Sequence, residues 1–224
     1  QMGVNDPRWS NHASFFDMDK DGDLDLFVMN HTTYWRVNIP EVDRIMQDES
    51  IRSLASNQLY ENQGDGTFKN ITKQAGIERH GYGLGLTTTD LNNDGLTDIY
   101  VANDYSVPDF MYINQGNNTF KDQTKQRTKQ ISYFGMGCDV ADYNNDGHPE
   151  ILVVDMAIKD HYRSKTLMAS MNTDLFRYLT EAKQLPYQYM FNSFQLNNQN
   201  GTYTNIANAI GLSKTDWSWT ALFA

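Results

Sequence analysis

The chain has 224 residues and a formal net charge of −10, enough length for one large domain or two small ones. Acidity of this size argues against nucleic-acid binding, which wants a basic face. No apolar run is long enough for a transmembrane helix. No signal peptide is visible, although the chain opens mid-pattern and an upstream one would fit.

The predicted elements follow one order, run through three times. The pair Trp9-Ser10 leads into a strand over 13–16, an acidic loop from Asp17 to Asp25, and an apolar strand, Leu26–Met29. A long connection from Asn30 to Ser56 holds a helix opening at Pro40, where Pro and acidic residues suit a first turn. A hairpin follows, Leu59 to Phe68, turning at Gly64-Asp65-Gly66. The order restarts at Tyr82-Gly83 with a strand over 83–87, a loop from Asp90 to Asp98, strand Ile99–Ala102 and a hairpin from Met111 to Phe120. The intervening connection, Asn103 to Pro108, is short. The third copy begins at Phe134-Gly135, with a strand over 135–139, a loop from Asp142 to Glu150, strand Ile151–Val154 and a hairpin from Phe194 to Tyr203. Its connection, Met156 to Phe191, is the longest and contains a helix pattern over Asn172–Lys183 with a polar cap. A fourth aromatic–small pair, Trp217-Ser218, precedes a strand over 220–223. After Phe120 the second copy lacks the ending seen at Ala75-Gly76-Ile77 and Ile210-Gly211-Leu212, so a less regular outer strand is expected there.

The three acidic loops share the pattern D-x-[DN]-x-D-G-x-x-[DE]. Oxygen side chains at alternate positions, then Gly, then a carboxylate, are what a hard cation needs from a short stretch of backbone. Gly supplies the positive φ of the turn. An EF-hand would place a bidentate Glu at loop position 12, where this chain has Val28, Val101 and Val153. The loops therefore join strand to strand. Magnesium keeps its waters, and zinc wants Cys or His, so calcium is the expected ion, about three per chain. The expected ligands are side chains at positions 1, 3, 5 and 9 and the carbonyl at position 7. In the first loop these are Asp17, Asp19, Asp21, Asp25 and the Asp23 carbonyl. In the second they are Asp90, Asn92, Asp94, Asp98 and the Leu96 carbonyl. In the third they are Asp142, Asn144, Asp146, Glu150 and the His148 carbonyl. The loops hold eleven of the acidic residues, and three calcium ions would bring the net charge to about −4.

Four antiparallel strands per repeat (A, acidic loop, B, connection, C, tight turn, D) predict an all-β fold, a β-propeller segment of four-stranded blades with helical insertions in the B–C connections. The blades are placed at about 9–78, 80–130 and 132–213, with the first strand of a fourth at 216–224. The loop signature resembles the FG-GAP/VCBS-repeat propellers, the class that includes the integrin α-subunit head. Trp217–Ala224, Val153–Met156 and Lys165–Met171 are similar to a bacterial branch near cartilage acidic protein and the ASPIC/UnbV-module proteins. The resemblance implies a parent ring of about seven blades, the remaining blades being partners of this segment.

Within a blade, the B–C connections share a face with the D–A crossovers and lie opposite the acidic loops. Long insertions gathered on one face mark a binding face, and Tyr34, Trp35, Tyr162, Phe176, Tyr178, Tyr187 and Tyr189 concentrate there. They read as a carbohydrate or protein contact surface, or as the packing that seats the insertions. No nucleophile motif, metalloprotease motif or P-loop is present, and Cys138 reads as a small buried residue. The expected function is a non-catalytic, calcium-binding module for extracellular binding or adhesion. The alternative is the propeller of a carbohydrate-active enzyme such as a polysaccharide lyase, for which Arg36, His31, His161 and Arg163 are the only candidates. Calcium loops favour an extracellular, periplasmic or cell-surface setting.

Overall fold

The structure, a computed structural model, describes residues 2–32, 38–167 and 172–224. Tyr34, Trp35 and Arg36, and the stretch 168–171 of the family resemblance, lie outside the described residues. The chain forms two compact units, Gln1–Val101 with Phe110–Gln123, and Ala102–Asp109 with Thr124–Ala224.

The first unit holds two sheets. β1 (Trp9–Phe16), β2 (Asp25–His31), β3 (Gln58–Asn62) and β4 (Phe68–Asn70) pair in that order, antiparallel throughout. β5 (Gly83–Thr89), β6 (Asp98–Asn103, running into the second unit), β7 (Phe110–Asn114) and β8 (Phe120–Asp122) repeat the order. Each residue of β2, β6 and β7 is buried, which explains why these segments read as unbroken apolar runs rather than as alternating ones. Phe27, Leu59, Ile77, Tyr100 and Tyr112 are among the core side chains, none more than 2 % exposed.

Between β2 and β3 lie α1 (Ile39–Gln47) and α2 (Glu49–Leu54). Asn38 caps α1 by accepting from Glu41 N–H at 3.0 Å, with Pro40 in the first turn as its fixed φ favours. Asp48 closes α1 and caps α2 through Ser50 N–H at 3.0 Å, so the acidic residue that follows the first helix starts a second.

In the second unit, α3 (Thr124–Arg127) and β9 (Gln130–Ser132) precede β10 (Gly135–Ala141) and β11 (Glu150–Ala157). After β11 come α4 (His161–Thr166), α5 (Thr173–Arg177), β12 (Tyr187–Tyr189), β13 (Ser193–Asn197), β14 (Tyr203–Asn205) and β15 (Asp216–Trp217). The sheet runs β10-β11-β13-β14, and β15 joins the end of β11 by pairing Trp217 with Met156. β9 and β12 form a parallel pair that the repeat pattern does not foretell.

Several expectations are corrected. The helix expected over Asn172–Lys183 is α-helical only to Arg177, and then widens into a π-turn, Tyr178–Ala182, closed by Lys183 N–H on the Tyr178 carbonyl at 3.0 Å. The outer strand β8 is as long as β4 and β14, and its divergent ending instead starts α3. No strand spans 220–223; the segment is held by Phe223 N–H donating to Asp139 Oδ2 at 2.7 Å and by Phe223 edge-on to Phe194. Cys138 is half-buried in β10 rather than buried.

The glycines of the first strands make room for neighbouring backbone. A Cβ on Gly137 would lie 2.5 Å from the Trp219 carbonyl oxygen, and one on Gly135 2.9 Å from that of Asn103. Gly137→Ala is therefore expected to cost about 1–3 kcal/mol through overpacking against rigid backbone. Urea denaturation would show this as a lower midpoint at unchanged slope.

Candidate functional site

Three acidic loops connect β1 to β2, β5 to β6 and β10 to β11, and they share one hydrogen-bond scheme. The position 1 carboxylate closes each loop on itself. Asp17 accepts from Lys20 and Gly22 N–H (2.7 and 3.2 Å), Asp90 from Asp94 and Gly95 (3.2 and 2.7 Å), and Asp142 from Asp146 and Gly147 (3.0 and 2.8 Å). The position 5 carboxylate accepts from the N–H of position 7, Asp21 from Asp23 at 2.9 Å, Asp94 from Leu96 at 2.8 Å and Asp146 from His148 at 2.9 Å. Positive φ recurs at position 4, in Lys20 (65°), Asn93 (58°) and Asn145 (59°), and at the position 6 glycines, Gly22 (92°), Gly95 (85°) and Gly147 (84°). Only glycine takes the second of these without strain.

The position 9 carboxylate is buried in all three copies and reaches both ways. Asp25 accepts from Met18 N–H at 3.0 Å and Asn62 N–H at 2.9 Å. Asp98 accepts from Leu91 and Asn114 N–H (2.9 and 2.8 Å), and Glu150 from Tyr143 and Asn197 N–H (3.3 and 3.4 Å). Burial pushes Asp25 up to about 6 and Asp98 up to about 7, against the pull of those amides, and raises Glu150 as well.

Sequence reasoning missed the partner of this carboxylate. The Asn ending each C strand also donates its side-chain amide to the position 8 carbonyl, from Asn62 to Leu24 at 3.1 Å, Asn114 to Thr97 at 3.2 Å and Asn197 to Pro149 at 3.3 Å. Its own Oδ1 caps the next turn, accepting from Gly64, Gly116 or Gln199 N–H. One side chain thus fastens the acidic loop to the C–D turn. The signal was present as an Asn at the same place in all three hairpins.

In the first loop, carboxylate oxygens of Asp17, Asp19 and Asp21 all lie within 4.8 Å of one another. Asp23 Oδ1 is buried there without a hydrogen-bond partner, and burial followed by Asp21, Asp19 and Asp17 raises that carboxyl. In the second loop Asn92 instead donates to Asp94 Oδ2 at 2.8 Å.

The other candidates belong to different units. His31 is buried in the first unit with its ring edge-on to Tyr82 at 5.7 Å. In the second unit His161 is exposed and Arg163 is paired with Asp216. Phe176, Tyr187, Tyr189 and Phe191 form one aromatic cluster, with Tyr187 and Tyr189 near-parallel at 6.4 Å and Tyr189 and Phe191 at 5.6 Å. Half-buried Phe176 carries α5 onto β12 through this cluster, while Tyr187 on β12 and Tyr162 on α4 stand exposed.

Residues 50–101 and 90–153 match the FG-GAP-like repeat, and this part of the chain carries FG-GAP-like repeats. The chain is 32 % identical over 119 residues to human cartilage acidic protein 1, covering 49 % of this chain and 16 % of that protein. It is 28 % identical over 86 residues to the mouse protein, covering 38 % of this chain and 13 % of that protein. The chain thus spans less than a fifth of the length of these relatives. Among solved structures, a lectin of Agrocybe aegerita, described by its recognition of non-reducing terminal N-acetylglucosamine, covers 85 % of this chain and 36 % of its own, at 16 % identity and a TM-score of 0.39.

Proposed function

We propose that this chain is part of a calcium-stabilised β-propeller acting as a non-catalytic extracellular, periplasmic or cell-surface binding module. The observation that carries the reading is the acidic loop itself, built three times with the same φ signs, the same closure of the position 1 carboxylate on the position 6 glycine, and the same bridging carboxylate. The residues fit a hard cation: the first loop gathers three carboxylates within 4.8 Å and leaves a buried carboxylate oxygen without a partner. Such crowding is costly unless a cation neutralises it. A bound calcium would be held by the loop carboxylates, with Asn92 and Asn144 as neutral oxygen donors, and would pin each A–B hairpin. Four-stranded antiparallel sheets with FG-GAP-like repeats support the blade assignment, and similarity to cartilage acidic protein 1 supports an extracellular setting.

The ligand is proposed to be a carbohydrate or protein held on the face of the B–C connections. The lyase alternative has weaker support, because His31 is buried and Arg163 is engaged by Asp216. Glycan-array binding run beside an assay for unsaturated sugar products tests the choice. Retention of a glycan or protein without product release is expected; product release lost on Arg163→Ala would overturn the non-catalytic reading.

A further inference from the structure

The three bridging asparagines are not equivalent. The side-chain amides of Asn62 and Asn197 donate within their own sheet, to the position 8 carbonyl of its acidic loop and, from Asn197, to the Tyr203 hydroxyl at 3.4 Å. Asn114, 2 % exposed at the end of β7, donates to the Thr97 carbonyl of its own loop at 3.2 Å and also to the Met18 carbonyl of the first loop at 2.8 Å. Its backbone N–H holds Asp98 at 2.8 Å and its Oδ1 takes Gly116 N–H at 2.9 Å. Met18 is itself buried, and its N–H donates to Asp25 at 3.0 Å. An unbroken chain of hydrogen bonds therefore runs from the position 9 carboxylate of the first loop, through the Met18 peptide groups and Asn114, to the position 9 carboxylate of the second. Asn118 adds a second tie, donating to Asp19 Oδ2 at 3.4 Å and to Glu61 at 2.7 Å.

We infer that the first two acidic loops bind their cations cooperatively, and that Asn114 is the positioning residue that couples them. The inference rests on the proposal that these loops hold cations. Closing Asp17–Asp25 around an ion fixes the Met18 carbonyl. That in turn fixes the Asn114 amide and, through it, the Thr97 carbonyl and Asp98. The second loop then has less ordering left to undergo when its own ion arrives, which is positive cooperativity carried by order alone. Linkage makes the effect reciprocal. Asn114 is suited to this role because its amide has two N–H donors and one carbonyl acceptor, and all three are used.

The test is calcium titration by calorimetry on the metal-stripped chain, with amide hydrogen exchange read over 18–25 and 91–98. Asp94→Asn, which cripples the second loop, is expected to weaken the first loop by about 5- to 150-fold. It is also expected to speed exchange at Met18. In an Asn114→Ala background the same Asp94→Asn change should leave the first loop's affinity as it was. Asn62→Ala and Asn197→Ala are matched controls, since each removes the equivalent bonds to one loop. Asn62→Ala should weaken the first loop directly but leave its coupling to the second intact, so that Asp94→Asn still weakens the first loop in that background. Equal first-loop affinity with Asp94 and with Asn at that position would overturn the coupling. So would coupling that survives Asn114→Ala. Titrations of the unaltered chain without any binding heat or exchange protection would overturn the cation reading itself, and the coupling with it.

Discussion

Calcium added to the metal-stripped chain is expected to raise its melting temperature by roughly 5–10 °C for each loop filled at a hundredfold excess over Kd. Each such site adds about 2.7 kcal/mol by mass action, and a domain of this size gains about 2–4 °C per kcal/mol. The physical source lies in the empty loop. Asp17, Asp19 and Asp21 crowd their carboxylates; burial raises Asp23, Asp25 and Asp98, and the neighbouring carboxylates of its own loop raise each further. A divalent cation replaces that repulsion with attraction and holds these groups ionised. Scanning calorimetry before and after EDTA, with calcium returned and magnesium as the control ion, checks it. Magnesium should restore less, because its octahedral hydration resists replacement by a protein cage. A melting temperature indifferent to verified calcium removal would contradict this.

The second large effect is expected at Asp155, where replacement by Asn should stabilise the chain at pH 8 by about 2–4 kcal/mol and do little near pH 4. Asp155 ends the β11 ladder with β10, fully buried, and burial pushes it up to about 7. Its Oδ2 accepts from Tyr133 and Phe134 N–H at 3.1 and 3.0 Å, which favours the charged form without overcoming desolvation. Asp104, also buried and also near 7, adds repulsion. Because the folded value is raised above the unfolded one, the folded state holds the proton more tightly. No penalty exists below about pH 4; it grows as pH rises toward 7 and is fully present above that. The equivalent positions in the other sheets are Asn30 and Asn103, whose side chains donate to the Ser56 and Pro108 carbonyls, both at 2.8 Å. Asp155→Asn would keep an acceptor for Tyr133 and Phe134 and gain a donor like theirs. Urea denaturation at pH 4, 6 and 8 measures the effect. An Asn variant that is no more stable at pH 8 would show that Asp155 is not a buried charge.

Much of this architecture was legible because the repeat prints it three times. Gly22, Gly95 and Gly147 sit where only positive φ closes the loop, and the apolar runs after the first two loops form fully buried strands. What the repeat does not print was harder to see. α2 begins because Asp48 happens to cap a second helix, and α3 occupies the place of a missing Ala-Gly-Ile ending. The β9–β12 pair joins residues far apart in sequence through three-residue segments with no pattern of their own. The Asn of each C strand was visible, but its role was not, since bridging a loop to a turn is a property of the folded register. The segment after Trp217 carries the aromatic–small signature of an inner strand. In the structure only Asp216–Trp217 joins a ladder, and the residues beyond it are held by side-chain contacts.

The most direct test is a crystal structure grown in millimolar calcium, with the ions located by anomalous scattering. One calcium is expected in each loop, three per chain, bound by Asp17, Asp19, Asp21 and Asp25, by Asp90, Asn92, Asp94 and Asp98, and by Asp142, Asn144, Asp146 and Glu150. The carbonyls of Asp23, Leu96 and His148 should complete the cages, with metal–oxygen distances of about 2.3–2.6 Å. Well-ordered loops that remain empty under those conditions would contradict it.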